Sequence, residues 1–128
     1  MVARNEGIIV NIGSVAATYP YTGGNVYGAT KAFVKQFTLN LKADLLGTKL
    51  KVSVVEPGLS ETEFSLVRFK GDVDKAKAPY SALTPLSPED IANTVYWIVT
   101  QPKHVNINVL EIMPVAQAFA GFSFDRKL

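Results

Sequence analysis

Two side chains in this sequence have the types and the spacing to move a proton: Tyr27 and Lys31. Residues four apart on a helix share one face, so the phenol and the ammonium can meet. An unperturbed tyrosine has a pKa of about 10 and is a poor acid-base group near neutrality. An ammonium held within about 4–6 Å favours the phenolate and lowers that value. Tyr27 also falls in the first turn of the helix, where the positive end of the helix dipole acts in the same direction. Ser14, arriving from a strand end, offers a hydroxyl to hold the oxygen that Tyr27 protonates. Together the three groups describe a proton-transfer site for a carbonyl or an alcohol. A Tyr-x-x-x-Lys pair also occurs on surface helices, where a half-buried ring lies under a snorkelling lysine, so its surroundings matter.

The elements that must position these groups are legible. Gly7 to Ile12 reads as a strand, and its near-continuous apolar run suits a parallel strand covered on both faces. Asn11 interrupts the run and reads as a polar group bonded to a neighbouring loop. Pro20, Gly23 and Gly24 mark the following turn. A helix is expected from Asn25, as N-cap, to Leu46, with Gly47 as its stop. Val26, Phe33, Val34, Phe37, Leu41 and Leu45 give it a wide apolar stripe, while Lys35, Lys42 and Asp44 read as solvated. Such a helix is on the order of 30 Å long at 1.5 Å per residue.

Leu50 to Val55 is the second strand, ending at Glu56, Pro57 and Gly58. Ligands of open parallel sheets bind at the carboxyl ends of strands, where Ser14 and Pro57-Gly58 both fall. Pro57 breaks the strand, and Gly58 lets backbone approach a ligand. From Glu63 to Leu86 the periodicity is lost and charges mix with aromatics. Arg68, within that stretch, reads either as a bidentate clamp for a substrate carboxylate or as a solvated surface group. Ser87-Pro88-Glu89-Asp90 is a helix start, with Ile91, Val95, Ile98 and Val99 as the buried stripe and Tyr96 and Trp97 as flanking core. Val109 to Met113 is the last strand. The tail from Ala118 has three phenylalanines without a period.

Ser14, Tyr27 and Lys31, set in NIGS and NVYGATKAF, resemble the catalytic serine, tyrosine and lysine of the short-chain dehydrogenase/reductase family. VVEPGLSETEF resembles that family's Pro-Gly loop and following threonine. Within the family, ETEFSLVRFKG and HVNINVLEIMPVAQ are similar to the NADP-dependent serine and 3-hydroxy acid dehydrogenases, relatives of L-allo-threonine dehydrogenase. The resemblance runs from Gly7 to about Gln117. It implies catalysis by Ser14, Tyr27 and Lys31. It implies contact with a nicotinamide cofactor by Tyr27, Lys31, Pro57, Gly58, Leu59 and Thr62, and a substrate held by Ser14, Tyr27 and Arg68 under a lid formed by Glu63 to Leu86. NADP follows from the subgroup alone, with NAD left open. The family's equivalent of the helix from Asn25 to Leu46 packs against its copy in another subunit, implying a homo-oligomer; Phe33 and Phe37 could equally face the sheet.

The implied fold is α/β, the C-terminal part of a doubly wound Rossmann-type parallel sheet, with about three strands, flanking helices and right-handed crossovers. The nine glycines form no phosphate-cradling fingerprint of the kind such enzymes open with. Residues 1–128 are therefore expected to be a single partial domain, the catalytic half of a dehydrogenase. The strand Gly7 to Ile12 would then lack a neighbour, and an exposed apolar edge predicts poor solubility without partner chains. The competing expectation is a non-catalytic module that pairs with other subunits through its long helix.

Composition narrows the remaining classes. The chain is 48% hydrophobic and 19% charged, ordinary for a globular domain. A net charge of +2 is too small to argue for nucleic acid or anionic membrane as partners, and neither is expected. With no cysteine and one histidine, His104, neither a thiolate metal site nor a histidine triad is expected. No apolar run approaches the roughly 20 residues of a membrane span, and MVARNEG has no signal-like stretch, so the expected location is cytoplasmic.

Overall fold

In the computed structural model, which describes residues 1–119, a three-stranded parallel sheet in the order β1-β2-β3 carries the rest of the chain. β1 is Gly7–Ile12, β2 is Leu50–Pro57 and β3 is Val109–Ile112. Gly7 pairs with Leu50 and Ile12 with Val55; on the other side Val54 pairs with Val109 and Pro57 with Ile112. β2 is the central strand and the core: Leu50, Val52, Val54 and Val55 are all buried. β1 is only half-buried, contrary to the expectation of cover on both faces, because it is an edge strand with one paired neighbour. β2 runs two residues further than expected. Pro57 is tolerated as its last member because Gly58, not Pro57, donates the bond to the Ile112 carbonyl, at 2.7 Å.

The long helix α1, Asn25–Asp44, is capped by Gly24 and not by Asn25, which is its first residue. It ends two residues short of Leu46: Leu45 is the C-cap, and Gly47 turns the chain with φ of +90°. Glycine adopts that left-handed conformation at little cost. α1 lies over the face that Asn11 and Glu56 share, since Asn11 donates to Thr38 at 2.8 Å and Lys35 reaches Glu56. Asn11 thus bonds to a helix and not to a loop, and Lys35 is not a solvated surface lysine. Side chains alternate along a strand, so Lys51, Ser53 and Val55 face the other way. There Lys51 donates to the Gln101 carbonyl just beyond α4, Pro88–Val99, which places a helix on each side of the sheet.

α4 opens with a reciprocal box in which Ser87 and Asp90 bond each other's backbone N–H groups. Its buried stripe is narrower than expected. Ile98 is buried, Ile91 and Val95 are half-buried, and Val99, Tyr96 and Trp97 are exposed. Tyr96 and Trp97 are therefore not core: a sheet of three strands covers too little of the helix to reach them. On α1 the apolar stripe divides likewise. Val34, Leu41 and Leu45 turn inward, whereas Val26, Phe33 and Phe37 are exposed and the two phenylalanine rings stack at 6.1 Å.

The segment without periodicity folds into two short helices, α2 at Glu63–Arg68 and α3 at Val73–Lys77, and a 3-10 turn at Ala78–Tyr80. Its two ends are stapled together where Glu61 donates to the Leu86 carbonyl and Leu86 to that of Leu59, both at 2.9 Å. The tail residues 120–128 lie outside the described residues.

Candidate active site

The carboxyl ends of β1 and β2 open into a cavity of about 770 Å³. Ser14, Tyr27, Lys31, Pro57, Gly58, Leu59, Thr62 and Arg68, scattered over 55 residues of sequence, all line it.

Ser14 leaves β1 in extended conformation and caps a 3-10 turn, Val15–Ala17, by accepting from the Ala16 N–H at 3.1 Å. It is 8% exposed. Its own proton points to the Pro57 carbonyl at 3.5 Å, the far limit of a hydrogen bond. The hydroxyl is thus fixed in place yet loosely engaged as a donor, and free to turn to an oxygen arriving in the cavity.

Tyr27 is the third residue of α1, half-buried, with its ring 5.3 Å from that of Phe64 on α2. One turn on, the Lys31 ammonium lies 5.8 Å from the centre of the Tyr27 ring and donates to the Ile12 carbonyl at 3.0 Å. Burial pushes the Lys31 ammonium below the ordinary lysine range, because desolvation disfavours its charge.

Thr62 caps α2, accepting from the Phe64 N–H at 3.2 Å. Arg68 closes the same helix. Its guanidinium stands 5.7 Å over the Tyr21 ring and donates to the Tyr21 hydroxyl at 3.4 Å, with no carboxylate partner among the described residues. The cation is therefore held at the cavity wall with most of its donors available.

Four further residues, which no sequence motif marks, shape the cavity. Tyr19 and Tyr21, between Ser14 and the helix, line the cavity. The Tyr19 phenol is held above its usual range, first by desolvation and then by the neighbouring Glu111 carboxylate, so it remains neutral and stays out of acid-base work near neutrality. Tyr80 ties the segment over the cavity to its floor, bonded to the Ser65 hydroxyl at 2.5 Å and donating to the Ser60 carbonyl at 3.0 Å. Gln117 folds back from the end of β3, and its Oε1 accepts from the Leu59 N–H at 2.7 Å. An added Cβ on Gly58 would run into this amide and into Met113, so a larger residue would have to displace both side chains. The three tyrosines carried no periodic signal, and Gln117 lies 58 residues from its partner.

A loosely engaged hydroxyl at Ser14, a phenol and a half-buried ammonium on one helix face, and an open cationic wall at Arg68 are groups able to hold an anionic alcohol or carbonyl compound.

The short chain dehydrogenase family model matches residues 1–71. Over 127 residues the chain is 61% identical to the NADP-dependent 3-hydroxy acid dehydrogenase YdfG of Salmonella typhimurium, covering 98% of this chain and 51% of that one. It is 54% identical to the serine 3-dehydrogenase of Agrobacterium fabrum over 124 residues, 97% of this chain and 50% of the relative. The chain thus spans about half the length of the curated relatives it matches. Among solved structures it superimposes on the closed form of a serine dehydrogenase complexed with NADP+ with a TM-score of 0.96 and 58% identity, covering 98% of this chain and 51% of the other. A serine dehydrogenase from Escherichia coli matches with a TM-score of 0.74 and 50% identity, over 93% of this chain and 45% of that one.

Proposed function

The chain belongs to the short-chain dehydrogenase family, and from that membership we propose that it carries the catalytic side of an NADP-dependent dehydrogenase of small 3-hydroxy acids such as serine or allo-threonine. The observation that carries the reading is the convergence of Ser14, Tyr27 and Lys31 with Pro57, Gly58, Leu59 and Thr62 on one cavity. Residues 1–128 are read as one partial domain, the catalytic half of a dehydrogenase, since their glycines form no fingerprint for a pyrophosphate.

The residues present suit the nicotinamide end of such a cofactor. The Leu59 N–H already holds a primary amide, that of Gln117, and a primary carboxamide is what the nicotinamide ring carries. Pro57, Gly58, Leu59 and Thr62 would border that ring, and Tyr27 and Lys31 its ribose. NADP+, when bound, supplies the acceptor for the hydride that leaves the substrate carbon.

The proposed proton transfer and substrate binding use side chains of this chain. The Ser14 hydroxyl donates to the substrate oxygen and holds it beside Tyr27. Tyr27, as phenolate, takes the hydroxyl proton as the carbon–hydrogen bond breaks, leaving a carbonyl. Lys31 holds its ammonium 5.8 Å from the centre of the Tyr27 ring, on the same helix face and anchored to the Ile12 carbonyl. Arg68 binds the substrate carboxylate, and the helices α2 and α3 exclude water above it. In the reverse direction Tyr27 returns the proton to the carbonyl oxygen, an aldehyde's for serine and a ketone's for allo-threonine. Oxidation of L-serine and of L-allo-threonine, followed as NADPH formation at 340 nm with the protein expressed from its own gene, tests the reading. Turnover of simple alcohols and not of hydroxy acids would remove the role of Arg68; no turnover of either would refute the reading.

The exposed pair Phe33 and Phe37, with Val26 on the same helix, supports assembly of the chain into a homo-oligomer through α1. The proposed substrate and cofactor are both small polar solutes of the cytoplasm, where the reading places the protein.

A further inference from the structure

Behind the cavity, and not lining it, a wholly buried carboxylate pairs with a half-buried ammonium. Glu56 on β2 is wholly buried, and its Oε2 accepts from the Lys35 Nζ at 2.8 Å. Its second oxygen has no partner among the described residues. A buried carboxylate is costly, and apolar residues of similar volume often serve stability equally well or better. Stability alone therefore gives little reason for a glutamate here, and its connections give a different one.

Lys35 follows Tyr27 and Lys31 at the next four-residue step, on the same face of α1. The same ammonium also donates to the Thr18 hydroxyl at 2.8 Å, at the end of the turn that Ser14 begins. Glu56 immediately precedes Pro57 and Gly58. Its stem packs beside Gly13, where an added Cβ would lie 3.3 Å from the Glu56 Cγ. One cation thus joins the helix bearing Tyr27, the turn bearing Ser14 and the strand end bearing the Pro57-Gly58 loop. We infer that Lys35 and Glu56 are positioning residues, whose ion pair, with Thr18, sets the mutual placement of Ser14, Tyr27 and Pro57-Gly58. The inference rests on the proposed dehydrogenase chemistry for its consequence and on this geometry for its existence.

The test compares Lys35→Met, Lys35→Arg, Thr18→Val and the double variant Lys35→Met/Glu56→Gln with the natural protein expressed from its own gene. Misplacement of reacting groups by about 1 Å costs on the order of a hundredfold, so Lys35→Met should lose tenfold to roughly a hundredfold in kcat, with KM changed less than about threefold. Lys35→Arg should recover most of that loss. The double variant, which no longer strands a buried charge, should regain the natural melting temperature without regaining kcat. Thr18→Val, which strands no charge, should keep the melting temperature and lose several-fold in kcat. Recovery of kcat together with stability in the double variant, or natural kcat in Thr18→Val, would overturn the inference and leave a purely structural pair. If the natural protein shows no turnover, the proposed function fails separately. The ring resonances of Tyr27 in carbon-13 tyrosine-labelled Thr18→Val then decide, a moved signal supporting the positioning role and an unmoved one ending it.

Discussion

The Lys31 ammonium donates to the carbonyl of Ile12 at 3.0 Å, so the last residue of β1 and the second turn of α1 are joined by a charge that burial destabilises. The residue immediately after Ile12-Gly13 is Ser14, and the residue one turn before Lys31 is Tyr27. A single hydrogen bond therefore sets the strand's contribution to the site beside the helix's.

This arrangement predicts a trade of stability against activity at Lys31. Its folded pKa is lowered, so between that value and the ordinary lysine value the unfolded chain binds the extra proton. Stability from this group then rises as pH climbs through the folded pKa, and the charged form is a cost below it. Lys31→Met should abolish turnover while leaving the melting temperature at pH 7 unchanged or higher. The natural protein should gain on the variant as pH rises toward 10. Melting curves across that range check the sign, and a variant that melts much lower at pH 7 would show that the bond to Ile12 outweighs desolvation.

Tyr27→Phe removes one oxygen and keeps the ring that packs against Phe64. Turnover should fall by at least the ~10²–10⁴-fold that general acid-base groups contribute, with little change in melting temperature. Residual activity within tenfold of the natural protein would reassign the proton transfer to another group.

Gln117 occupies the Leu59 N–H that the proposed reading gives to the nicotinamide carboxamide. Gln117→Ala should tighten NADPH binding on the order of fivefold, the equivalent of about 1 kcal/mol for one neutral hydrogen bond. Fluorescence titration with NADPH reads it directly. Weaker binding in the variant would mean that Gln117 supports the loop in place of competing for it.

At the start of α4, Ser87→Ala should cost about 1 kcal/mol, the usual worth of a serine N-cap, measurable by urea unfolding. The Asp90 carboxyl is held below its ordinary range by the Ser87 backbone N–H and then by the Ser87 hydroxyl. Its contribution is complete above the ordinary carboxylate pKa of about 3.9 and is lost as pH falls through the folded value. The variant should therefore lose less stability on acidification than the natural protein, and equal acid sensitivity would contradict this origin.

Phe33 is 69% exposed and Phe37 50%. If α1 is a subunit interface, Phe33→Glu/Phe37→Glu should shift the protein to a smaller species in sedimentation velocity without unfolding it. An unchanged sedimentation coefficient would leave those rings as surface.

The pairing of Tyr27 with Lys31 was readable because a four-residue spacing on a helix is a local property. Tyr27 and Lys31 share a face whatever the helix packs against, and the glycine turn and the apolar stripe place them near its start. The end of β1 at Ile12 was readable for the same reason, since Gly13-Ser14 interrupts an apolar run, and the break after β2 was readable to within two residues from Pro57-Gly58. Sequence failed where a side chain's surroundings come from another element. Lys35 reads as solvated among polar helix neighbours, and only the stacking of α1 on β2 brings Glu56 to it. Tyr96 and Trp97 read as core by type, and only the extent of the sheet leaves them exposed.

What the sequence by itself determined, then, is the order and kind of the elements and the pairing of phenol with ammonium, because helix and strand periodicities are written in consecutive residues. The tertiary structure alone decided that Ser14, Tyr27, Lys31 and the Pro57–Leu59 stretch share a cavity, that Gln117 closes on Leu59, and that Glu56 is buried against Lys35. Those contacts depend on strand register and on which helix face meets the sheet, and neither is encoded within any one segment.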